Sequence, residues 1–286
     1  MNLMKTMINK SLKRMIFDRA AKTYDEYAVL QHQIIDNLID RLQFVKFDPK
    51  LIIDLGSGTS RAGKLLQRKY KKTKIINLDF SEKMLLQGQA KNKNFLQWVR
   101  RKEDMYICSD FEQLPFAKNS FDMVWSSSSI QWASDIEQLL KEVLNALKPG
   151  GLFILSTFGP DTLLELNQIS KQIFNKSTTS HFIDMHELGD LLLKLGFQNP
   201  VLDRENFVMT YQHPRDLFKD LKKIGATSGN MDDFKGMQGR GYLEKIIHQY
   251  SNYKNDNLYP ASYEVIYAHA WKPNNTDNLK PINFVK

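Results

Sequence analysis

The sequence predicts an α/β fold, a parallel sheet with helices on both faces. Three observations carry that expectation. Apolar runs alternate with helical spacing between residues 51 and 157, each run is apolar at consecutive positions, and acids, glycines or serines follow where the runs end. Continuous apolar runs suit strands buried on both faces, and the intervening helices supply the crossovers that parallel strands need.

The first run, Leu51-Ile52-Ile53-Asp54-Leu55, passes through Gly56-Ser57-Gly58 into the helical spacing of Leu65, Leu66 and Tyr70. Two close glycines allow a sharp turn and close approach of backbone to a ligand, and the following helix directs free N–H groups at it. A dinucleotide fingerprint would place its third glycine where Arg61 stands, and no Gly-Lys-Ser/Thr follows for a nucleoside triphosphate. The turn therefore points to a nucleoside ligand without phosphates, of which S-adenosylmethionine is the common one, with Gly56, Ser57 and Gly58 as its cradle.

The second run, Lys74 to Asp79, ends on an acid about 20 residues beyond the second glycine, the spacing at which a carboxylate accepts hydrogen bonds from ribose hydroxyls. Phe80 follows it, Ser81 caps the next helix and Glu82 begins that helix. Met105 to Cys108 leads to Ser109-Asp110-Phe111, where an acid beside an aromatic suits an adenine amine and ring face. Phe121 to Ser126 arrives at Ser127-Ser128-Ser129-Ile130-Gln131-Trp132; four serines at a strand end are expected to stay out of the core and to offer hydrogen bonds, Ser126 among them, to a cofactor. A helix over about Asp135 to Leu147 and a fifth strand over Leu152 to Thr157 complete the alternation. The three acids and the glycine turn all fall at carboxyl ends of strands, where open α/β sheets bind ligands.

Outside this alternation the reading is of one domain, 17–272. Residues 1–16 set Lys5, Lys10, Lys13 and Arg14 among Met and Ile side chains without an acid and read as a flexible basic leader. Residues 17–45 form a helical lead-in over the cradle, in which Tyr24 either closes over the cofactor or serves as core. Residues 160–240 interrupt the sheet as a cap. Helices are expected over Thr162 to Phe174, Met185 to Leu195 and from His213-Pro214, a strand over Asp203 to Tyr211, and a mobile glycine-rich stretch over 228–240. A helix over Leu243 to Tyr250 and a strand over Tyr263 to Trp271 return the chain to the sheet, and 273–286 reads as a disordered tail.

Composition bounds the partners. The chain has 286 residues, 42% hydrophobic and 25% charged, which suits one large globular domain. Its single cysteine, Cys108, allows no internal disulfide and no Cys-based zinc site; no metal is expected, and a reducing, cytoplasmic setting is. No apolar run approaches the roughly 20 residues of a membrane span. A formal charge of +8 favours an acidic partner: nucleic acid, an anionic membrane or an acidic carrier protein. No nucleic-acid-binding module is recognisable, and a monomer is expected.

Beyond the general pattern, Phe17-x-Arg19-Ala20-Ala21-x-x-Tyr24, Leu30-Gln31, Leu114-Pro115-Phe116, Gln131-Trp132, Leu221-Lys222-x-Ile224-Gly225-Ala226-Thr227 and Tyr259-Pro260-Ala261-Ser262-Tyr263-Glu264-Val265 together resemble the malonyl-acyl-carrier-protein O-methyltransferases of biotin synthesis. The resemblance runs from about Phe17 to Trp271. It implies a Rossmann-like, seven-stranded class I methyltransferase sheet with a helical cap, S-adenosylmethionine as methyl donor and a malonyl thioester on an acidic carrier protein as acceptor. Thr59-Ser60 and Ser127-Ser128 depart from the residues common there.

That acceptor is already ionised near pH 7, so no general base is expected. Orienting donors are expected among Tyr24, Gln31, Gln131, His181 and Lys222, with Tyr24 and Lys222 favoured because they lie in the particular motifs. Lys219, Lys222 and Lys223 share a helix face, and either they or Arg100-Arg101 are expected to dock the carrier. Two other readings share this fold: a methyltransferase for a small lipid or quinone, and a non-methylating assembly factor of the respiratory-complex type, suggested by Asp184-Met185-x-Glu187-Leu188-Gly189.

Overall fold

The computed structural model describes residues 10–92, 105–175, 182–226 and 237–274. Seven strands form one sheet: β1 (Leu51–Leu55), β2 (Lys74–Asp79), β3 (Met105–Cys108), β4 (Phe121–Ser127), β5 (Leu147–Phe158), β6 (Gln198–Tyr211) and β7 (Tyr259–Trp271). Their order is β3-β2-β1-β4-β5-β7-β6. β1 to β5 run parallel, while β7 lies antiparallel between β5 and β6. The order reverses at β1, between β2 and β4, which puts the topological switch point at the glycine turn.

Alternate strand residues feed two opposite cores. Ile52, Ile75, Met123, Trp125, Leu152, Ile154, Val265 and Tyr267 join one, and Ile53, Leu78, Val124, Phe153, Leu155 and Ile266 the other. On the first face pack α3 (Val29–Arg41), α4 (Arg61–Lys69), α7 (Leu164–Phe174), α9 (Pro214–Lys223) and α10 (Met237–Tyr250). On the second pack α6 (Ile136–Ala146) and α8 (Met185–Leu195). Local chemistry starts these helices. Asp135 accepts from the Gln138 amide at 3.0 Å, Asp184 accepts from the His186 amide at 2.7 Å, and Pro214 opens α9.

At the carboxyl edge of the sheet lie α1 (Lys10–Ala20), α2 (Tyr24–Tyr27) and α5 (Glu82–Asn92), where Ala20 and Ala21 meet Met84. The Ser81 hydroxyl accepts from the Met84 amide at 3.3 Å, capping α5 as its sequence suggested.

Several boundaries differ from the sequence reading. The limit expected at residue 16 falls inside α1. The span 160–240 is not one cap: α8 packs against β6, and β6 pairs with β7 from Gln198 to Tyr211, so both belong to the sheet layers. The error came from reading a two-sided edge strand, alternately half-buried and exposed, as an interruption. β7 starts at Tyr259 rather than Tyr263, because Pro260 lies beyond Val265, where pairing with β5 begins, and its missing N–H costs no bond on that side. α10 starts at Met237 with Gly239 and Gly241 inside it, anchored by buried Ile246 and Tyr250, although each internal glycine costs about 1 kcal/mol. Residues 1–9, 228–236 and 275–286, parts of the expected leader, mobile stretch and tail, lie outside the described residues.

Candidate active site

The turn after β1 is built from backbone. The Gly56 and Ser57 amides donate to the Leu78 carbonyl at 2.8 and 3.0 Å, and the Gly58 amide donates to Asp79 Oδ2 at 2.8 Å. Gly56 and Gly58 have φ of +68° and +52°. A Cβ at Gly56 would stand 2.4 Å from Ser129 Cβ, so that position requires glycine; one at Gly58 meets nothing within 4 Å, leaving that side open to a ligand. Helix packing falls to Gly63, whose added Cβ would lie 2.5 Å from Asn77 Oδ1. Arg61, where a dinucleotide fold would carry that glycine, instead points to α3 and holds Asp36 through both carboxylate oxygens at 2.8 and 3.0 Å.

The acids differ in environment. Asp79 is buried, with Oδ1 accepting from the Ser81 amide at 2.8 Å. Burial and the neighbouring Asp18 push its carboxyl up to about 6 against the pull of its amide donors. Each oxygen keeps a second lone pair. Asp110 is partly exposed: Oδ1 accepts from the Glu112 amide at 2.9 Å and Oδ2 pairs with Lys10 of α1 at 2.6 Å. Phe111 is buried beside it, while Phe80 meets Phe17 edge-on at 5.7 Å, and Phe17 in turn meets Trp132 at 5.4 Å. The lead-in thus lies over the ends of β2, β3 and β4.

One acid went unassigned in the sequence reading. Asp54 closes β1 beneath the turn, fully buried, with Oδ2 lacking a hydrogen-bond partner. Burial, then the charge of Asp79, push its carboxyl up to about 8. The signal was present: it is the acid two residues before Gly56. Ser57 Oγ, Ser60 Oγ, Ser128 Oγ and Trp125 Nε1 are likewise buried and unpartnered around the ends of β1 and β4. A cradle of backbone turn, buried acid and unpaired donors fits an adenosine-type ligand that carries a cation.

The serine cluster departs from expectation. Ser126 and Ser129 are buried, with hydroxyl oxygens 3.2 and 2.9 Å from the Leu55 carbonyl and 2.5 Å from each other, so that of their two protons one goes to the carbonyl and the other joins the two serines. They tie the end of β4 to the end of β1, a role that selects buried hydroxyls. Ser126 therefore shapes the cradle from behind.

Tyr24 sits among charges. Burial, then Asp79 and Asp25, push its phenol far above the ordinary range, so it stays a neutral donor. Asp25 anchors the lead-in to the cradle by accepting from Thr59 Oγ1 at 2.5 Å and pairing with Lys91. Burial alone would raise it, but His32, with Nε2 3.7 Å away, and hydrogen bonds from Lys91 and Thr59 hold it well below the usual carboxylate range. Gln131 is committed locally: its amide nitrogen donates to the Ser128 carbonyl at 2.7 Å and its oxygen accepts from Thr157 at 3.3 Å. Lys219 and Lys222 are exposed on α9, whereas the Lys223 ammonium lies 5.6 Å from the Tyr27 ring centre. Gln31 is half-buried on α3. His181, Arg100 and Arg101 lie outside the described residues. Beside the cradle, at the carboxyl end of β5, Phe158 stands 6.0 Å from both Phe182 and Tyr263, an apolar wall.

A sheet of this order, open at its switch point over a backbone turn and a buried acid pair, defines a class I S-adenosylmethionine-dependent methyltransferase. The family pattern described as "Methyltransferase domain" matches residues 53–155, β1 through most of β5. Among solved structures, the chain is similar in fold to the YcgJ protein of Bacillus subtilis, with TM-score 0.57 and 15% identity over 85% of this chain and 99% of that one. It is similar also to phosphoethanolamine N-methyltransferase 2 of Haemonchus contortus in complex with S-adenosyl-L-methionine, with TM-score 0.53 and 20% identity over 90% of this chain and 57% of that one. Full-length likeness is closer: 40% identity to malonyl-[acyl-carrier protein] O-methyltransferase of a Methylovorus species, over 97% of this chain and 95% of that protein, and 38% to the same enzyme of Gallionella capsiferriformans, over 93% and 92%. The chain belongs to the malonyl-[acyl-carrier protein] O-methyltransferase family.

Proposed function

We propose that this chain methylates the free carboxylate of a malonyl group borne on acyl-carrier protein, giving the malonyl methyl ester that opens pimeloyl and biotin synthesis. The observation that carries this reading is the 40% identity to an enzyme of that name along nearly the whole of both chains. It outweighs the small-molecule and assembly-factor readings, which share only the sheet.

The donor, S-adenosylmethionine, supplies an electrophilic methyl on a sulfonium. The chain's part is to bind, orient and exclude water. Gly56, Ser57 and Gly58 offer the turn, Asp79 the ribose acceptor, Asp110 with Phe80 and Phe111 the adenine end, and Asp54 a carboxylate for the cationic part. No group needs to take a proton, because the attacking carboxylate is ionised. Opposite charges neutralise as transfer proceeds, so the apolar wall of Phe158, Phe182 and Tyr263 favours the transition state, and alignment supplies much of the rate. A tight cationic clamp would blunt the nucleophile; Tyr24, held neutral, orients without that cost. Lys219 and Lys222 present positive charge to an acidic carrier.

The test is transfer of labelled methyl to malonyl-, succinyl- and glutaryl-carrier protein. We expect a base-labile methyl ester on the malonyl form, with slower transfer to the longer acids. Absence of carrier-dependent ester from a chain that binds S-adenosylhomocysteine overturns the reading.

A further inference from the structure

We infer that Glu165 and Glu264 are positioning residues: two buried carboxylates that cross-tie the turn after β5 to the start of β7 and so fix the apolar wall of the acceptor site. The inference rests on the proposed function only for the identity of the acceptor.

The chain leaves the sheet at Phe158 and enters α7 at Leu164, and nothing regular orders the five residues between. Two backbone bonds close the turn onto β7. The Gly159 amide donates to the Glu264 carbonyl at 2.9 Å, and the Leu163 amide to the Ser262 carbonyl at 2.6 Å. The side chains then cross. Glu264 of β7 reaches the turn, where Oε2 accepts from the Asp161 amide at 2.9 Å. Glu165 of α7 reaches back to β7, where it accepts from the Ser262 amide at 2.9 Å and the Ser262 hydroxyl at 2.6 Å. Thr162 Oγ1 adds a bond to the Glu264 carbonyl at 3.0 Å.

Four features mark this as more than loop closure. Glu264 and Glu165 are only 3% and 7% exposed, and a buried carboxylate carries a desolvation cost of several kcal/mol unless fully hydrogen-bonded. Arg204 lies 3.3 Å from Glu264 Oε1, giving that site a counter-charge. Leu163 is held at φ +55°, a conformation that costs a non-glycine residue about 1 kcal/mol and persists only where the surroundings over-determine it. A Cβ on Gly159 would fall 2.5 Å from Glu264 Oε2, so the carboxylate and the turn are fitted to each other.

The tie is placed to act on the acceptor. On its β5 side is Phe158, and on its β7 side Tyr263, the two rings of the wall. Tyr263 neighbours Tyr211, and Tyr211 in turn neighbours Asp220 of α9, the helix that carries Lys219 and Lys222. Loosening the tie therefore shifts the wall relative to the cradle, whose own bonds to Leu78 and Asp79 are untouched. A misplacement of about 1 Å in a transfer that depends on alignment costs up to about 100-fold in rate.

The test compares Glu165→Ala, Glu165→Gln, Glu264→Ala and Glu264→Gln in the full chain. We expect the alanine variants to lose at least about tenfold in kcat/KM for malonyl-carrier protein while the Kd for S-adenosylhomocysteine stays within about twofold, and the glutamine variants, which keep an acceptor, to recover most of the loss. Unchanged kcat/KM, or cofactor affinity falling in step with activity, overturns the inference. Hydrogen exchange supplies a readout independent of the acceptor. The Asp161, Leu163 and Ser262 amides are expected to exchange faster in the alanine variants, with those of Gly56 and Ser57 unchanged; equal exchange in variant and wild type overturns it as well. If the wild type methylates no malonyl-carrier protein, the proposed function falls and exchange alone decides the tie. Should an alanine variant fail to fold, Ser262→Ala takes its place in both measurements.

Discussion

Asp54 and Asp79 stand at the ends of adjacent parallel strands, and the charge of Asp79 adds to burial in raising the proton affinity of Asp54. The carboxyl directly beneath the glycine turn is therefore largely protonated at neutral pH when no cation is near it, being pushed up to about 8. A bound cation favours its ionised form. We expect cofactor affinity to rise as pH increases from about 6 to about 8, and binding near pH 7 to release protons, visible as a buffer-dependent enthalpy in calorimetry. Asp54→Asn flattens the profile. The sign for stability is opposite: the folded state holds a proton that the unfolded state gives up above about 4, so this residue's contribution declines as pH rises from there toward 8. A pH-independent wild-type affinity rules out the role assigned to Asp54.

Asp25 has the reverse linkage. Its folded-state pKa is depressed, so its stabilisation is present above the ordinary carboxylate range and is lost as pH falls through and below that range. Asp25→Asn is expected to cost about 1–2 kcal/mol at pH 7, a drop of several degrees in Tm, by unpairing Thr59 and Lys91. The gap in Tm between wild type and variant narrows toward about pH 3; a constant gap contradicts the ion-pair account.

Gly63→Ala is expected to destabilise by about 1–3 kcal/mol, since the new methyl meets Asn77 Oδ1 at 2.5 Å between α4 and β2. Gly63→Ala with Asn77→Ala should cost less than the sum of the single changes, a coupling that denaturant titration of the four chains measures.

Carrier docking predicts a split between substrates. Lys219→Glu with Lys222→Glu should raise KM for malonyl-carrier protein about tenfold and make it less sensitive to salt than in wild type, leaving the Kd for S-adenosylhomocysteine unchanged. Lys223 is left out because it packs over Tyr27. Equal losses for carrier and cofactor would remove α9 as the docking face.

The β1 to β5 half of the sheet was legible because continuous apolar runs and glycine punctuation are local signals. Its second half was harder to read. β6 alternates half-buried and exposed residues, since along most of its length only the face of Phe207, Met209 and Tyr211 packs on a core, and nothing local says that its partner lies some 60 residues on. In the candidate site, the spacing showed Gly56 and Gly58 as a turn and Asp79 as an acid at the end of the next strand. Ser126 could not be told from a ligand-facing serine, because its role depends on the Leu55 carbonyl of another strand. Asp54 was visible as a residue, but its perturbed acidity arises from burial and from Asp79, neither of which the sequence displays. Gly63 showed as a glycine, while its reason, Asn77, stands on a neighbouring strand.

The antiparallel strand β7 is the last element of the sheet to be synthesised, yet it sits inside it, between β5 and β6. On a ribosome adding roughly 5–20 residues per second, β6 waits several seconds for β7, its one partner among the described residues. Glu165 waits equally for Ser262. The nascent chain thus has a complete cofactor half and an incomplete acceptor half until Trp271 has emerged. Loss of the first half of β7, which carries Ser262, Tyr263 and Glu264, would spare the first and disable the second.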